Sequence, residues 1–252
     1  MNTWAATASL DAAGRLWLLL FTPAGWQGQT RLSSHFSSFL WDGSEVFWLG
    51  RHEVTQREYL DLMGVNPSSF KGDLDLPVEQ VSWNDATNYC GKLTARERAA
   101  GRLPAAGYEY RLPTEAQWEY ACRAGTTTAT ALGSSLSSTQ ANFDGRYPYN
   151  GGATGPNREK TAKVGSYPAN AWGLYDMHGN VWEWCQDWFY GYLGGSVTDP
   201  KGRASGTDRV LRGGGLGANG QSCPSAYRYS VSPDFRRYVL GFRTALVLKQ
   251  AC

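Results

Sequence analysis

The residues of this 252-residue chain that could do chemistry fall into three groups. The first is its thiols, Cys90, Cys122, Cys185, Cys223 and Cys252, which are odd in number and never at CxxC spacing. That pattern predicts buried or terminal free thiols rather than a zinc site or a disulfide framework. The second is an aromatic and acidic run from Trp172 to Trp188, containing Asp176-Met177-His178 and Trp182-Glu183-Trp184. In a strand the two indoles would share one face and Glu183 the other, which predicts an aromatic core plate rather than a ligand-stacking surface. Only His35, His52 and His178 exist, too few and too scattered for an iron triad, so His178 reads as a satisfied core or loop residue.

The third group is the strip GLGANGQSCPSAYRYSVSPDFRRYVLGFR, residues 215–243, which contains no Lys, Glu, Met or Trp although all 11 Trp lie before residue 189. Replacing the adenines of an Asn codon gives Gly, Ala, Ser, Tyr, Val, Pro, Asp, Phe, Arg, Leu and Cys, but never Lys, Glu, Gln, Met or Trp. The clustered positions 216–220, 222, 224, 229–232, 235 and 237–239 all fall in that allowed set, so Gln221 must be a fixed position. Between them stand constant-looking residues: Cys223, Ser225-Ala226, Arg228, Pro233-Asp234, Arg236 and Leu240-Gly241-Phe242-Arg243. Tyr, Ser and Gly are also the staple residues of evolved binding surfaces, because Tyr offers rigid amphipathic area and Ser and Gly offer adaptability. The predicted ligand-contacting residues are Leu216, Gly217, Ala218, Asn219, Gly220, Ser222, Pro224, Tyr227, Tyr229, Ser230, Val231, Ser232, Phe235, Arg237, Tyr238 and Val239, with the aromatics as anchors.

Several local signals place the elements that must hold these groups. Thr55 with Glu58 three residues on, followed by Gly64, marks a short capped helix, and a strand precedes it at 45–49. A second helix should run from Ser82 or Asn84 to Ala100, with Ala86, Tyr89, Cys90 and Leu93 on its apolar face. A strand at Tyr108–Leu112 leads through Pro113 into a third short helix ending near Cys122. Residues 125–170 read as a long ordered loop anchored by Tyr147 and Tyr149, and residues 1–44 as an appended strand or hairpin. No 20–50 residue repeat is present.

Composition narrows the function classes. The formal charge of +2 argues against a nucleic-acid binder, which would carry a basic face. No stretch approaches the roughly 18 apolar residues that span a bilayer, and no signal peptide frames Leu16–Phe21. The expectation is a soluble protein without membrane insertion, cytoplasmic by default. Thirty Gly, 11 Trp and 14 Tyr point to a loop-rich architecture held by aromatic packing.

The run Trp172–Trp188 closely resembles a signature segment of the formylglycine-generating (sulfatase-modifying) family. So do Glu53-Val54-Thr55-Gln56, Arg111–Ala121, Arg209-Val210-Leu211-Arg212-Gly213-Gly214 and Leu240-Gly241-Phe242-Arg243, all in the family's order. The resemblance covers residues 45–245 and implies an α+β, loop-rich, C-type-lectin-like fold, with residues 45–252 as the domain. It implies calcium ligands at Asn180, the Val181 carbonyl and Glu183; a second family site begins at Asn142 but lacks its carboxylate near Pro156. Family enzymes hold copper between two cysteines; here the second matches Cys223 and the first falls on Ala218. The strip 215–243 further resembles the variable region of diversity-generating retroelement proteins, which share this fold. The expected function is a noncatalytic ligand-binding protein, its ligand a protein or another macromolecule. The alternatives are a copper-dependent oxidase of cysteine peptides and, by fold analogy alone, a calcium-dependent lectin.

Overall fold

The computed structural model describes residues 46–192, 194, 200 and 202–249, and before them the backbone of four strands at Ala5–Leu10, Leu16–Phe21, Gln27–Arg31 and Phe36–Leu40. These are β1 to β4. The remaining strands are β5 (Val46–Gly50), β6 (Tyr108–Arg111), β7 (Trp182–Trp188), β8 (Arg209–Arg212), β9 (Tyr229–Val231), β10 (Leu240–Gly241) and β11 (Ala245–Leu248). Three α-helices are described: α1 (Gln56–Met63), α2 (Trp83–Ala99) and α3 (Glu115–Arg123).

All three helices start with capping boxes, Thr55 with Glu58, Ser82 with Asp85, and Thr114 with Gln117. Each box satisfies two N–H groups that the first turn leaves without partners. Gly64 closes α1 in the left-handed conformation at φ 75°, as its position predicts. Ala86, Tyr89, Cys90 and Leu93 are the buried stripe of α2, matching the periodicity of the sequence.

Two four-stranded sheets build the body. One has the order β4-β5-β11-β6 and is antiparallel throughout. The chain's last strand therefore lies in the middle of the sheet, between strands from the first half of the chain. The division expected at residues 44/45 falls between β4 and β5, which pair with each other in this sheet. The other sheet has the order β10-β7-β8-β9, with β10 parallel to β7 and the rest antiparallel. Strands β1-β2-β3 form a separate antiparallel sheet.

The core has two main parts. One gathers Trp48, Tyr59, Tyr89, Trp184, Phe242 and Leu246 between the sheets and the two longer-range helices α1 and α2. The other packs Phe47, Trp118, Cys122, Met177 and Cys185 around α3. Between α3 and β7 the chain forms no helix and no regular strand, only turns and isolated bridges such as Leu136 to Tyr149. Tyr149 anchors this long loop against Leu136, Phe143 and Cys223. Tyr147 does not, being 60% exposed: its backbone is turned by the Asp144 carbonyl, which leaves the ring outside.

Candidate ligand-binding face

The strip 215–243 flanks β7 and β8, supplying the edge strands β9 and β10 of their sheet, and it is anchored on a set of buried charges. Arg243 pairs with Glu183 through two contacts of 2.6 Å and donates to the carbonyls of Gly50 and Tyr175, both at 3.0 Å. Trp118 Nε1 donates to the same Glu183 carboxylate at 2.7 Å. Burial works against the Arg243 charge, but Glu183 outweighs it and holds the guanidinium above its usual pKa. Next to this pair, burial pushes the Asp176 carboxyl up to about 6 and the Glu53 carboxyl well above its ordinary range. A second fully buried arginine, Arg212, pairs with Glu115 and Glu119 and donates to the carbonyls of Ser225 at 2.6 Å and Tyr227 at 2.8 Å. Those two bonds fasten the strip's own backbone to the sheet below it.

Three further side-chain links fasten the strip. Arg228 makes a forked pair with Glu115 at 2.6 and 2.8 Å. Asn84 donates to Asp234 at 2.5 Å, and Arg236 forks onto Asp85 at 2.7 and 3.0 Å. Asp85 thus serves both the α2 capping box and the strip. Cys223 and Ser225 are fully buried, as are Phe242 and Arg243. The residues that read as constant in the sequence are therefore largely those that bond to the frame or fill the core.

The residues between them face outward. Tyr227, Tyr229, Phe235 and Tyr238 are 38–48% exposed, and Gly217, Asn219, Ser232 and Arg237 are exposed as well. Ala218, Ser222, Pro224, Ser230, Val231 and Val239 are half-buried. Tyr238 meets Phe70 edge-to-face at 5.8 Å, and Arg237 lies over the Tyr238 ring. Two of the sixteen positions named from the sequence do not belong to the face. Leu216 is 2% exposed, its N–H bonded to the Asn180 carbonyl. Gly220 is buried against the Tyr147–Tyr149 segment, where a Cβ would sit 2.8 Å from the Pro148 carbonyl carbon.

Trp182 also departs from the expected core plate. Trp184 is fully buried and donates to the Val81 carbonyl at 2.9 Å, but Trp182 is only half-buried. Its ring supports Tyr229 at 5.3 Å and Tyr227 at 6.0 Å. Glu183 is not on a polar face either, because its face of β7, with Cys185 and Asp187, is the buried one and is closed over Glu183 by the Arg243 pair. Aromatic and acidic alternation is visible in sequence, but which face stays open depends on what packs across it.

Of the donors named for calcium, the side-chain oxygens of Asn180 and Glu183 are already engaged. Both Glu183 oxygens bond Arg243, and Asn180 Oδ1 accepts from Asn142 Nδ2 at 3.1 Å and from the Ala162 N–H at 2.9 Å. Val181 is fully buried beside them. This donor set does not fit calcium, which needs several free oxygens. For copper, Ala218 carries no ligand atom, and burial pushes the Cys223 thiol up to about 12, against the thiolate that binds the metal. Cys90, Cys122 and Cys185 are buried in the other parts of the core, while Cys252 lies outside the described residues. His178 accepts the Ala131 N–H at Nε2 (3.0 Å), so its Nδ1–H donates to the Cys223 carbonyl at 2.8 Å. Both ring nitrogens are used, and burial pulls its pKa down to about 4.

Sequence reasoning missed Glu115, Asp85, Asn84 and Arg212 as the anchors of the strip. Only the α3 and α2 caps marked their neighbourhood, since Glu115 and Asp85 lie 113 and 151 residues from the arginines they hold.

A loop-rich α+β domain with a rigid charged floor and an aromatic outer strip is the scaffold these observations define. The family of the sulfatase-modifying factor enzyme 1-like domain matches residues 43–248, and the chain belongs to that family. The formylglycine-generating enzyme of Streptomyces coelicolor is 40% identical over 188 residues, covering 71% of this chain and 55% of that enzyme. The chain thus spans about half the length of that relative. Among solved structures, Treponema denticola variable protein 1 superposes with a TM-score of 0.68 at 26% identity, covering 96% of this chain and 99% of that one. PvdO from Pseudomonas aeruginosa shares the fold at 24% identity and a TM-score of 0.64, over 98% and 92% of the two chains. The C-type-lectin-like fold of the formylglycine-generating subtype is therefore the architecture of this chain. No described helix is long and apolar enough to cross a membrane.

Proposed function

We propose that this chain is a noncatalytic binding protein of the diversity-generating retroelement type, contacting a protein or other macromolecule through the outward side chains of residues 217–239. The domain is residues 45–252 together with β4 (Phe36–Leu40), the edge strand of its sheet, and the residues before β4 are an extension. One observation carries the reading. The side chains at the clustered positions read as variable are mostly exposed or half-buried and largely without hydrogen bonds to the frame, whereas the constant-looking Arg228, Asp234 and Arg236 between them are bonded to it. Side chains of that kind can be exchanged at little cost in stability. The likeness to a protein called variable protein 1 over nearly the whole chain supports the same reading.

The competing function is a copper-dependent oxidase of cysteine peptides, which the similarity to formylglycine-generating enzymes favours. Ala218 in place of a thiolate, and a single buried thiol at Cys223, weigh against it. Two measurements separate them. Sequencing sibling copies of the gene should find substitutions confined to the outward positions of the strip. Mass spectrometry of a Cys-Thr-Pro-Ser-Arg peptide incubated with copper-loaded protein should find no aldehyde; stoichiometric conversion would overturn the binding reading.

A further inference from the structure

A cavity of about 320 Å³ opens between α1, α2 and the β4-β5-β11-β6 sheet. Its walls come from α1 (Glu58, Asp61), α2 (Tyr89, Leu93, Arg96, Glu97) and residues of the sheet, none of them in the strip that carries the proposed binding face. The volume suits a small organic molecule. Val54, Leu93 and the rings of Tyr89 and Tyr110 give it apolar walls.

Its polar groups are unevenly satisfied. Tyr89 is only 3% exposed, held by a stack on Tyr59 at 5.4 Å and an edge contact with Phe242 at 5.3 Å, and its hydroxyl makes no hydrogen bond among the described residues. The ring is fixed by its packing and lines the cavity, so its hydroxyl is a preplaced polar group that a ligand atom can meet. The two guanidinium groups at the other wall are occupied. Arg102 grips Glu97 at 2.6 and 2.8 Å, and Arg96 reaches it at 3.0 Å. The acids on α1 are not matched in this way. Glu58 uses Oε2 for its capping box, and Asp61, one turn along the same helix, has no ion-pair partner among the described residues. The cavity therefore offers an apolar lining, a hydroxyl and, with Glu58, Asp61 and Glu97 set against Arg96 and Arg102, one net negative charge whose unpaired acid lies on the α1 side.

From this we infer that the cavity binds a small organic cation, an amine on an aromatic or aliphatic stem. The stem would lie against Leu93 and Tyr110, with the ammonium group at the α1 acids and a polar atom at the Tyr89 hydroxyl. The site is independent of the outer strip and would stand if the reading of that strip failed.

The test is calorimetric titration of the full chain with tyramine, and with 3-(4-hydroxyphenyl)propionate as an anion of nearly the same shape. Tyramine should bind one saturable site at least about tenfold more tightly than the anion, since like charges across a pocket are disfavoured. Asp61→Asn should weaken tyramine about threefold, the scale of an exposed charge pair. Tyr89→Phe, which keeps the buried ring, should weaken it about fivefold, the scale of one hydrogen bond. Tyr229→Ala, on the outer strip, should leave it unchanged. Thermal melts of each variant show that the fold is retained. Equal affinity for both compounds, no saturable binding, or indifference to both Asp61→Asn and Tyr89→Phe would overturn the assignment.

Discussion

The floor of β7 and β8 and the strip that flanks it differ in residue types, Glu, Arg and Trp against Tyr, Phe, Ser and Gly, and in how their side chains are satisfied. In the floor, the two buried arginines and their partners are committed: Arg243 to Glu183, Trp118 Nε1 to Glu183, and Arg212 to two glutamates and two carbonyls. In the strip, Tyr229, Phe235 and Tyr238 meet solvent, and Trp182 beneath them is shared between the two regions. Rigidity below is what allows freedom above. A surface position tolerates change when its backbone is held by groups that do not themselves change, and Arg212 holds the strip by its carbonyls, which any residue supplies.

The sharpest way to break this contrast is to remove a buried member of the floor. Arg243→Ala strands the Glu183 carboxylate in the core and should cost roughly 3–5 kcal/mol, and Trp184→Ala should cost roughly as much through its cavity. Urea denaturation measures both, and a loss below about 1 kcal/mol for each would show that the floor is not the structural frame.

The next effect is one of pH. The folded pKa of His178, about 4, lies below its unfolded value, so the neutral ring stabilises the fold fully above pH 6.5. As pH falls from 6.5 to about 4 the unfolded chain takes up a proton that the folded chain refuses, and roughly 3 kcal/mol of stability should drain away. Asp187 and Glu79, raised by burial to about 6 and about 7, act with the opposite sign, their contribution fading as pH rises through that range. The stability difference between wild type and His178→Gln, followed from pH 7 to pH 4, cancels the carboxylates. It should shrink as pH falls.

Two glycines of the strip sharpen the contrast at backbone level. A Cβ on Gly220 meets Pro148 and Tyr149 backbone atoms, so Gly220→Ala should cost roughly 1–3 kcal/mol. Gly217 has open space around it, and Gly217→Ala should stay within about 0.5 kcal/mol. Paired thermal melts compare them. Equal losses would mean that the loop is either wholly rigid or wholly free. The smallest effects are expected on the face itself. Tyr229→Ser and Phe235→Ala should each shift stability by less than about 0.5 kcal/mol. Tyr229→Ser alone should also uncover the Trp182 ring, read as a red shift of indole emission, because Phe235 makes no ring contact with Trp182.

What the sequence determined by itself was whatever depends on neighbours in the chain. Capping boxes at Thr55, Ser82 and Thr114, the stop at Gly64 and the buried stripe of α2 need only residues three or four positions apart. Family and fold were legible for a different reason, because separated blocks such as Arg111–Ala121 and Trp172–Trp188 keep their order. Tertiary structure alone decided which side chains are free. It buried Leu216 and Gly220 within an otherwise outward strip, turned Tyr147 out of its loop, and left Trp182 half-open while closing Trp184. It also drew Glu115 to Arg228 and Asp85 to Arg236 across more than a hundred residues. Whether a charge is a ligand, an anchor or a solvated surface group depends on its partner in space, and local spacing does not encode partners that distant.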